Sequence, residues 1–263
     1  MNILDKIIDK KKIEIEKRKA SKSIYELERG PFFKNKTLCF KKFLLREDKT
    51  GIIAEFKRQS PSKGIINNKA TVEEVTTAYA KYGASGISVL TDEEFFGGSL
   101  NDLLAATINE VPLLRKDFII DEYQLLESKA YGAEVILLIA ACLTVTQVKS
   151  LASFAKNIGL NVLLEIHNEE ELEHVCDDVD VVGVNNRDLK TFKVDINRSL
   201  QLGRMIPVNK VKISESGIDD IATIELLKKH GFKGFLMGEK FMKQKNPGEA
   251  FRAFVKELCI ITK

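Results

Sequence analysis

Eight short apolar runs, separated by charged stretches with helical spacing, set the strongest limit on how this chain can fold. The runs are residues 52–56, 86–90, 112–115, 134–139, 161–165, 179–184, 210–213 and 232–237. Between them, residues 72–82, 123–131, 144–157 and 218–230 repeat apolar side chains at the period of an amphipathic helix. Thr144 is placed to cap its helix, and Gly83, Gly132, Gly159 and Gly231 stand where helices should stop. Continuous apolar strands alternating with helices imply parallel pairing with both faces covered. Eight such units in 263 residues favour closure into a barrel. An open doubly wound sheet would carry a glycine-rich turn after its first strand. Glu55-Phe56-Lys57-Arg58-Gln59-Ser60-Pro61 takes that place here. The expected fold is therefore α/β, a (β/α)8 TIM barrel with an N-terminal helical extension.

The extension is expected to span residues 1–48, with the barrel as the catalytic domain from 49 to 263. Ile3, Ile7, Ile8, Ile13 and Ile15 punctuate a Lys/Glu-rich stretch, and two further helical pieces follow at 23–29 and 41–45. An extended basic arm is the competing reading, weakened by the interleaved acids and isoleucines. The net charge of +3 arises from 41 basic and 38 acidic residues spread along the chain, a balance that argues against nucleic-acid binding. The cysteines at 39, 142, 176 and 259 form no C-x-x-C pair, and with three histidines no metal-ligand spacing appears. No signal-like or membrane-length apolar run occurs, so a cytoplasmic protein without membrane contacts is expected.

In barrels of this kind, chemistry sits at the C-terminal ends of the strands. The first strand ends with Glu55 and Lys57, two residues apart and so on one face. Burying ionisable groups is costly unless they are paired, which points to a reaction site. A surface ion pair is the competing reading. The loop beyond offers Ser60, Ser62 and Gly64 to an anion. Lys116 follows the third run and Glu165 closes the fifth; Asn185 and Arg187 follow the sixth, and Glu215, Ser216 and Gly217 the seventh. Lys57, Lys116, Glu55 and Glu165 would converge in one mouth, where a lysine can act as acid beside a carboxylate. Lys116 alone could equally snorkel out of the barrel. Mutual proximity is expected to depress the pKa of both lysines. Ser216-Gly217 and Gly238-Glu239 fall where barrels bind phosphate, although each pair alone reads as an ordinary turn. Phe96 and Phe118 can wall an aromatic group or simply pack their loops. His167, His174 and His230 read as structural or surface residues.

The segments Ile53-Ala-Glu-Phe-Lys-Arg-Gln-Ser-Pro-Ser62, Ser88-Val-Leu-Thr-Asp92, Leu114-Arg-Lys-Asp-Phe118, Gly183-Val-Asn-Asn-Arg-Asp-Leu189 and Ser214-Glu-Ser-Gly-Ile218 closely resemble the indole-3-glycerol-phosphate synthase family. The resemblance extends through nearly the whole chain, including the Ile3-Leu-Asp-Lys-Ile opening. It implies closure of 1-(2-carboxyphenylamino)-1-deoxyribulose 5-phosphate to an indole, with loss of carbon dioxide and water and no cofactor. It further implies a catalytic set of Lys116, Lys57, Glu165, Glu55, Asn185 and Ser216, with Lys116 as principal acid. Arg187 and Ser60 would meet anionic groups, and Phe96 and Phe118 would sandwich the anthranilate ring. Ser216, Gly217, Gly238 and Glu239 would cradle the phosphate, with Glu215 also among the substrate-binding residues. Lys240 and Ser214 depart from the family pattern, where a small residue is expected at 240 and a small apolar one at 214. A phosphoribosylanthranilate isomerase would want a cysteine at the end of strand one and is a poor rival. A barrel retained only as a docking subunit is the non-enzymatic alternative. A monomer is expected, with association to other enzymes of the pathway left open.

Overall fold

Each of the eight runs forms a parallel strand of one closed barrel, in the computed structural model that describes residues 3–261. The strands are β1 (Ile52–Phe56), β2 (Gly86–Leu90), β3 (Leu113–Lys116), β4 (Val135–Ile139), β5 (Asn161–Ile166), β6 (Val181–Asn185), β7 (Val211–Glu215) and β8 (Gly234–Met237). Closure comes where β1 pairs with β8 in the register Ile52↔Phe235 and with β2 in the register Ile53↔Gly86. Three expected boundaries move for identifiable reasons. Pro112 has no N–H for a ladder, so β3 begins one residue later while the Pro112 carbonyl accepts from Ile87 N at 2.9 Å. Strand β7 runs on through the polar pair Ser214-Glu215, which pairs with Phe235 and Leu236. The helix expected from 218 starts only at Ile221, where Asp220 accepts from Thr223 N at 2.7 Å. Residues 216–219 are thereby left as an open turn.

The two-residue repeat of a strand divides these residues between two cores. Ile52, Ala54, Ile87, Val89, Leu138 and Leu164 face outward against the helices. Ile53, Leu114, Leu137, Leu163, Val181, Ile213 and Leu236 face inward and fill the barrel with Phe40 and Leu44. Those last two come from helix Phe40–Leu44 of the extension, so an N-terminal segment packs into the inward core. Each such large side chain stabilises the fold by about 1.5–3 kcal/mol on burial. One step further along the inward rows come Glu55, Lys116, Glu165 and Glu215, with Asn185 one step beyond the inward Gly183. The apolar core thus supports a charged layer directly above it. Helix Val145–Asn157 is capped by Thr144 as expected, but β5 is followed by a short 3-10 turn, Glu170–His174, in place of a full helix.

Helix Ile3–Ser21 docks through a feature the isoleucine spacing does not reveal. Its buried stripe is Ile7, Lys11 and Ile15, while Ile13 is exposed. Lys11 Nζ lies 2.9 Å from both Asp92 and Asp117 and 2.8 Å from Glu14. Asp117 also pairs with the fully buried Arg115 at 2.9 Å, Arg115 with Glu127 at 2.9 Å, and Glu127 with Arg18 at 2.9 Å. Arg18 returns to Glu14, closing a ring of alternating charges. Burial alone would lower the Lys11 pKa and raise that of Asp117, but their opposite neighbours outweigh it and shift both the other way. Removing one partner of a buried pair costs about 3–5 kcal/mol. Lys11→Met should therefore destabilise the protein by about that much at pH 7 in urea unfolding. Asp117 has a lowered folded pKa, so its contribution is present above about pH 4 and is lost as pH falls below that. The variant's deficit should shrink correspondingly in acid. A deficit within about 0.5 kcal/mol at pH 7 would mean that the ring does not hold the helix.

Candidate active site

The inward rows end in a cluster of ionisable side chains at the C-terminal mouth of the barrel. Lys116 Nζ, from the end of β3, lies 2.8 Å from Glu165 Oε2 on β5 and 3.3 Å from Glu215 Oε2 on β7. Asn185 Nδ2 on β6 donates to Glu165 Oε1 at 3.1 Å. Lys57 donates to Glu55 Oε1 at 2.5 Å. Two glycines make room for the carboxylates. A Cβ at Gly183 would stand 2.2 Å from Glu215 Oε1, and one at Gly238 would stand 2.7 Å from Glu55 Oε1. The four residues Glu55, Lys57, Lys116 and Glu165 do converge, and they line one cavity of about 480 Å³.

The electrostatics correct one expectation. Lys116 is not depressed by a neighbouring lysine: burial lowers its pKa, but Glu165, Glu215 and Glu55 outweigh that and raise it above the ordinary lysine value. Glu165 is raised by burial and lowered more by Lys116 and His167, so it stays ionised. Glu215 behaves differently. Burial, reinforced by Glu165 and Glu55, pushes it up to about 7 despite Lys116. Neither of its oxygens has a hydrogen bond, since Lys116 meets Oε2 at ion-pair distance only. Around neutrality the mouth thus holds a charged lysine, an ionised glutamate and a second glutamate that readily carries a proton.

Above this layer the loops form a polar rim. Ser216 and Gly217 both adopt left-handed backbone, with φ of 68° and 71°. For serine that conformation is strained and persists only where the surroundings impose it. Asn186 imposes it: its Nδ2 donates to the carbonyls of Glu215 and Ser216, each at 3.0 Å, and to Ser214 Oγ at 2.9 Å. Ser214 is fully buried and also contacts Ser199 Oγ at 2.8 Å, which accounts for a hydroxyl at this position. Gly238 precedes the turn Glu239–Met242 with no side-chain cap. Arg187 Nη2 and Lys63 Nζ approach Glu239 from two sides at 3.7 and 3.6 Å. Lys240 donates to the Asp219 carbonyl and so braces loop eight against loop seven. Ser60 lines the same cavity from loop one, within 3.4 Å of Ser62 Oγ.

The opposite wall is apolar. Phe96 and Phe118 lie with ring centroids 6.2 Å apart and tilted by 39°, both facing the cavity. Ile3, Leu4 and Ile7 of the N-terminal helix complete that side. The Lys11 contacts hold both loops there, because Asp92 caps the turn carrying Phe96 and Asp117 separates Lys116 from Phe118. Arg58 adds a bidentate pair with Asp102 at 2.6 and 2.8 Å and so ties loop one to loop two. Sequence reasoning missed Lys11, Arg115, Asn186 and His167. Only His167 carried a usable signal, since it falls two residues after Glu165 on the same strand face.

A cavity with a floor of lysine and glutamate side chains, a polar rim and an aromatic wall agrees with the family that comparison finds. The family model described as indole-3-glycerol phosphate synthase matches residues 4–254. The indole-3-glycerol phosphate synthase of Bacteroides thetaiotaomicron is 46% identical over 258 residues, covering 98% of this chain and 99% of that one. The enzyme of the same name from Endomicrobium trichonymphae is 42% identical, covering 95% and 98%. Among solved structures, 3-hexulose-6-phosphate synthase from Salmonella typhimurium superposes with a TM-score of 0.61 at 12% identity, over 80% of this chain and 98% of that one, a likeness of fold alone. With its sequence matched almost end to end, the chain belongs to the indole-3-glycerol phosphate synthase family.

Proposed function

We propose that this protein is a carbon–carbon lyase that closes 1-(2-carboxyphenylamino)-1-deoxyribulose 5-phosphate to indole-3-glycerol phosphate in tryptophan biosynthesis. The observation that carries the reading is Lys116 Nζ held 2.8 Å from Glu165 and 3.3 Å from Glu215 in the floor of the cavity. A lysine kept charged by carboxylates is a proton donor aimed at whatever oxygen enters above it. In the proposed sequence the substrate phosphate settles against Ser216, Gly217, Gly238 and Arg187, and the anthranilate ring lies against Phe96 and Phe118. Ser60 and Glu239 complete the rim, and Asn185 orients Glu165 and a substrate hydroxyl.

The ring carbon bearing the carboxylate attacks the ribulose carbonyl, and Lys116 transfers its proton to the forming alkoxide. The carbon–carboxylate bond then breaks, releasing carbon dioxide and returning its electron pair to the ring. The new hydroxyl leaves as water after accepting a proton from Lys57. Glu55, in contact with Lys57, takes the proton released as the indole double bond forms. Glu165 stays ionised and favours the charged form of Lys116, which regains its proton from solvent. Lys116 and Lys57 each give up one proton and Glu55 recovers one for Lys57, so each turnover takes one proton from solvent as carbon dioxide leaves. The reading includes a cytoplasmic enzyme acting as a monomer, to be checked by sedimentation of the purified protein. Among the described residues no helix is long and apolar enough to cross a membrane.

Lys116→Ala should lower kcat by about 100- to 10,000-fold, the range expected on losing a general acid. The chain contains no tryptophan, so indole emission from the product can be followed against little protein background. Retention of wild-type turnover would remove Lys116 from the mechanism, and silence from folded wild-type protein would sink the assignment of substrate. A second expectation concerns Glu215, which gains negative charge as pH rises through about 7. The substrate carries a carboxylate and a phosphate, so KM should rise across that pH in the wild type. Glu215→Gln cannot ionise, and its KM should stay flat over the same interval. Parallel profiles for the two proteins would show that Glu215 does not face the substrate.

A further inference from the structure

His167, like Glu215, is an ionisable group beside the Lys116–Glu165 pair that the proposed proton transfers leave unused. Strand parity places it on the inward row, two residues beyond Glu165, and only 9% of it is exposed. Its imidazole is wedged between two carboxylates. Nε2 lies 3.2 Å from Glu165 Oε1, and Nδ1 lies 3.2 Å from Glu171 Oε2. The contact with Glu171 is a hydrogen bond, whereas Nε2 sits off the hydrogen-bonding line to Glu165 and has no other partner. That attraction therefore acts through charge. Glu171 is itself fixed, accepting from His167 N at 2.6 Å and from Asn168 Nδ2 at 3.1 Å.

We infer that His167 is a positioning residue that, as an imidazolium clamped by Glu171, holds Glu165 ionised and turned toward Lys116. The inference rests on the part proposed above for the Lys116–Glu165 pair. The geometry is a row of alternating charges, Glu171, His167, Glu165 and Lys116, running from the 3-10 turn after β5 into the reaction cavity. Other groups facing this row are few. Asn185 shares Glu165 Oε1, Glu215 lies beyond Lys116, and the Cys142 thiol feels both Glu165 and Glu171. His174 turns away, its ring nitrogens against the carbonyls of Glu171 and Leu143 at 3.1 and 2.9 Å. Burial alone would drive a proton off His167, but Glu165 and Glu171 overcome it and bring the group up to about 9. The sign follows directly. The imidazolium persists through neutrality and loses its charge only as pH rises past about 9, and Glu165 then loses one of its two cations.

The test combines a spectroscopic and a kinetic reading. The protein has three histidines, so their titrations can be separated by NMR using His174→Gln and His230→Gln for assignment. His167 should stay protonated at pH 7.5 and titrate near 9, and Glu171→Gln should move that titration to lower pH. In the wild type, kcat should fall as pH crosses about 9, and in Glu171→Gln that fall should shift down together with the NMR titration. His167→Gln should lower kcat on the order of ten-fold at pH 7, with KM changed less than about two-fold and no break near 9. A neutral His167 at pH 7.5, or an alkaline limb identical in wild type and Glu171→Gln, overturns the inference. A loss of kcat with the limb retained in His167→Gln would mark the residue as merely structural and overturns it as well. The NMR titration does not depend on turnover, so loss of the lyase reading and loss of this one are distinguishable.

Discussion

The cost of removing charge from water organises this molecule. An ion buried without a partner costs several kcal/mol, yet the barrel mouth holds Glu55, Lys57, Lys116, Glu165 and Glu215 at the ends of alternate strands, β1, β3, β5 and β7. The fold meets that cost by alternation. Each cation sits within reach of a carboxylate, and where two carboxylates share one lysine, Glu215 is the one pushed up toward neutrality. The site's acid–base character and its stability are thus one electrostatic fact. Lys116 is kept charged by the same groups that make its burial tolerable.

The same rule operates on the outer side of β3, where alternate residues point away from the cavity. Arg115 and Asp117 flank Lys116 in sequence but face outward, into the ring that includes Lys11, Arg18 and Glu127. One short strand therefore serves two purposes. Its inward residue enters the reaction cavity, and its outward neighbours receive the N-terminal helix. Through Asp92 and Asp117 that helix also constrains the loops bearing Phe96 and Phe118. The extension is on these grounds a structural part of the cavity at the barrel mouth as well as a cover for the barrel, since Ile3, Leu4 and Ile7 line it directly.

How far the molecule can be read from its residues depends on whether the relevant signal is local. Thr144 as a cap, with Gly83, Gly132, Gly159 and Gly231 as stops, follows from backbone rules that operate within a few residues. The inward placement of Glu55 and Lys57 follows from the two-residue pleat. The end of β7 was not legible in this way, because Ser214 and Glu215 look like loop residues until their partners on β6 and β8 are known. His167 looked inert because Glu171, which clamps it from the 3-10 turn after β5, is an ordinary surface acid in a linear reading. Asn186 gave no hint of restraining Ser216, thirty residues away.

By itself, then, the amino-acid sequence determined the barrel, the order of its strands, the family and the inventory of groups at the strand ends. All of these are carried by short-range periodicity and contiguous motifs. Only the tertiary structure decided which charges meet, which are ionised and what holds them. Lys116 is raised where a neighbouring lysine was expected to depress it, Glu215 is shifted toward neutrality, and Lys11 is an anchor inside an apparently apolar stripe. The physical reason is range. Pleat and helix period act between adjacent residues, whereas a pKa is set by every charge and every loss of solvent within several ångströms, contributed here by segments about a hundred residues apart.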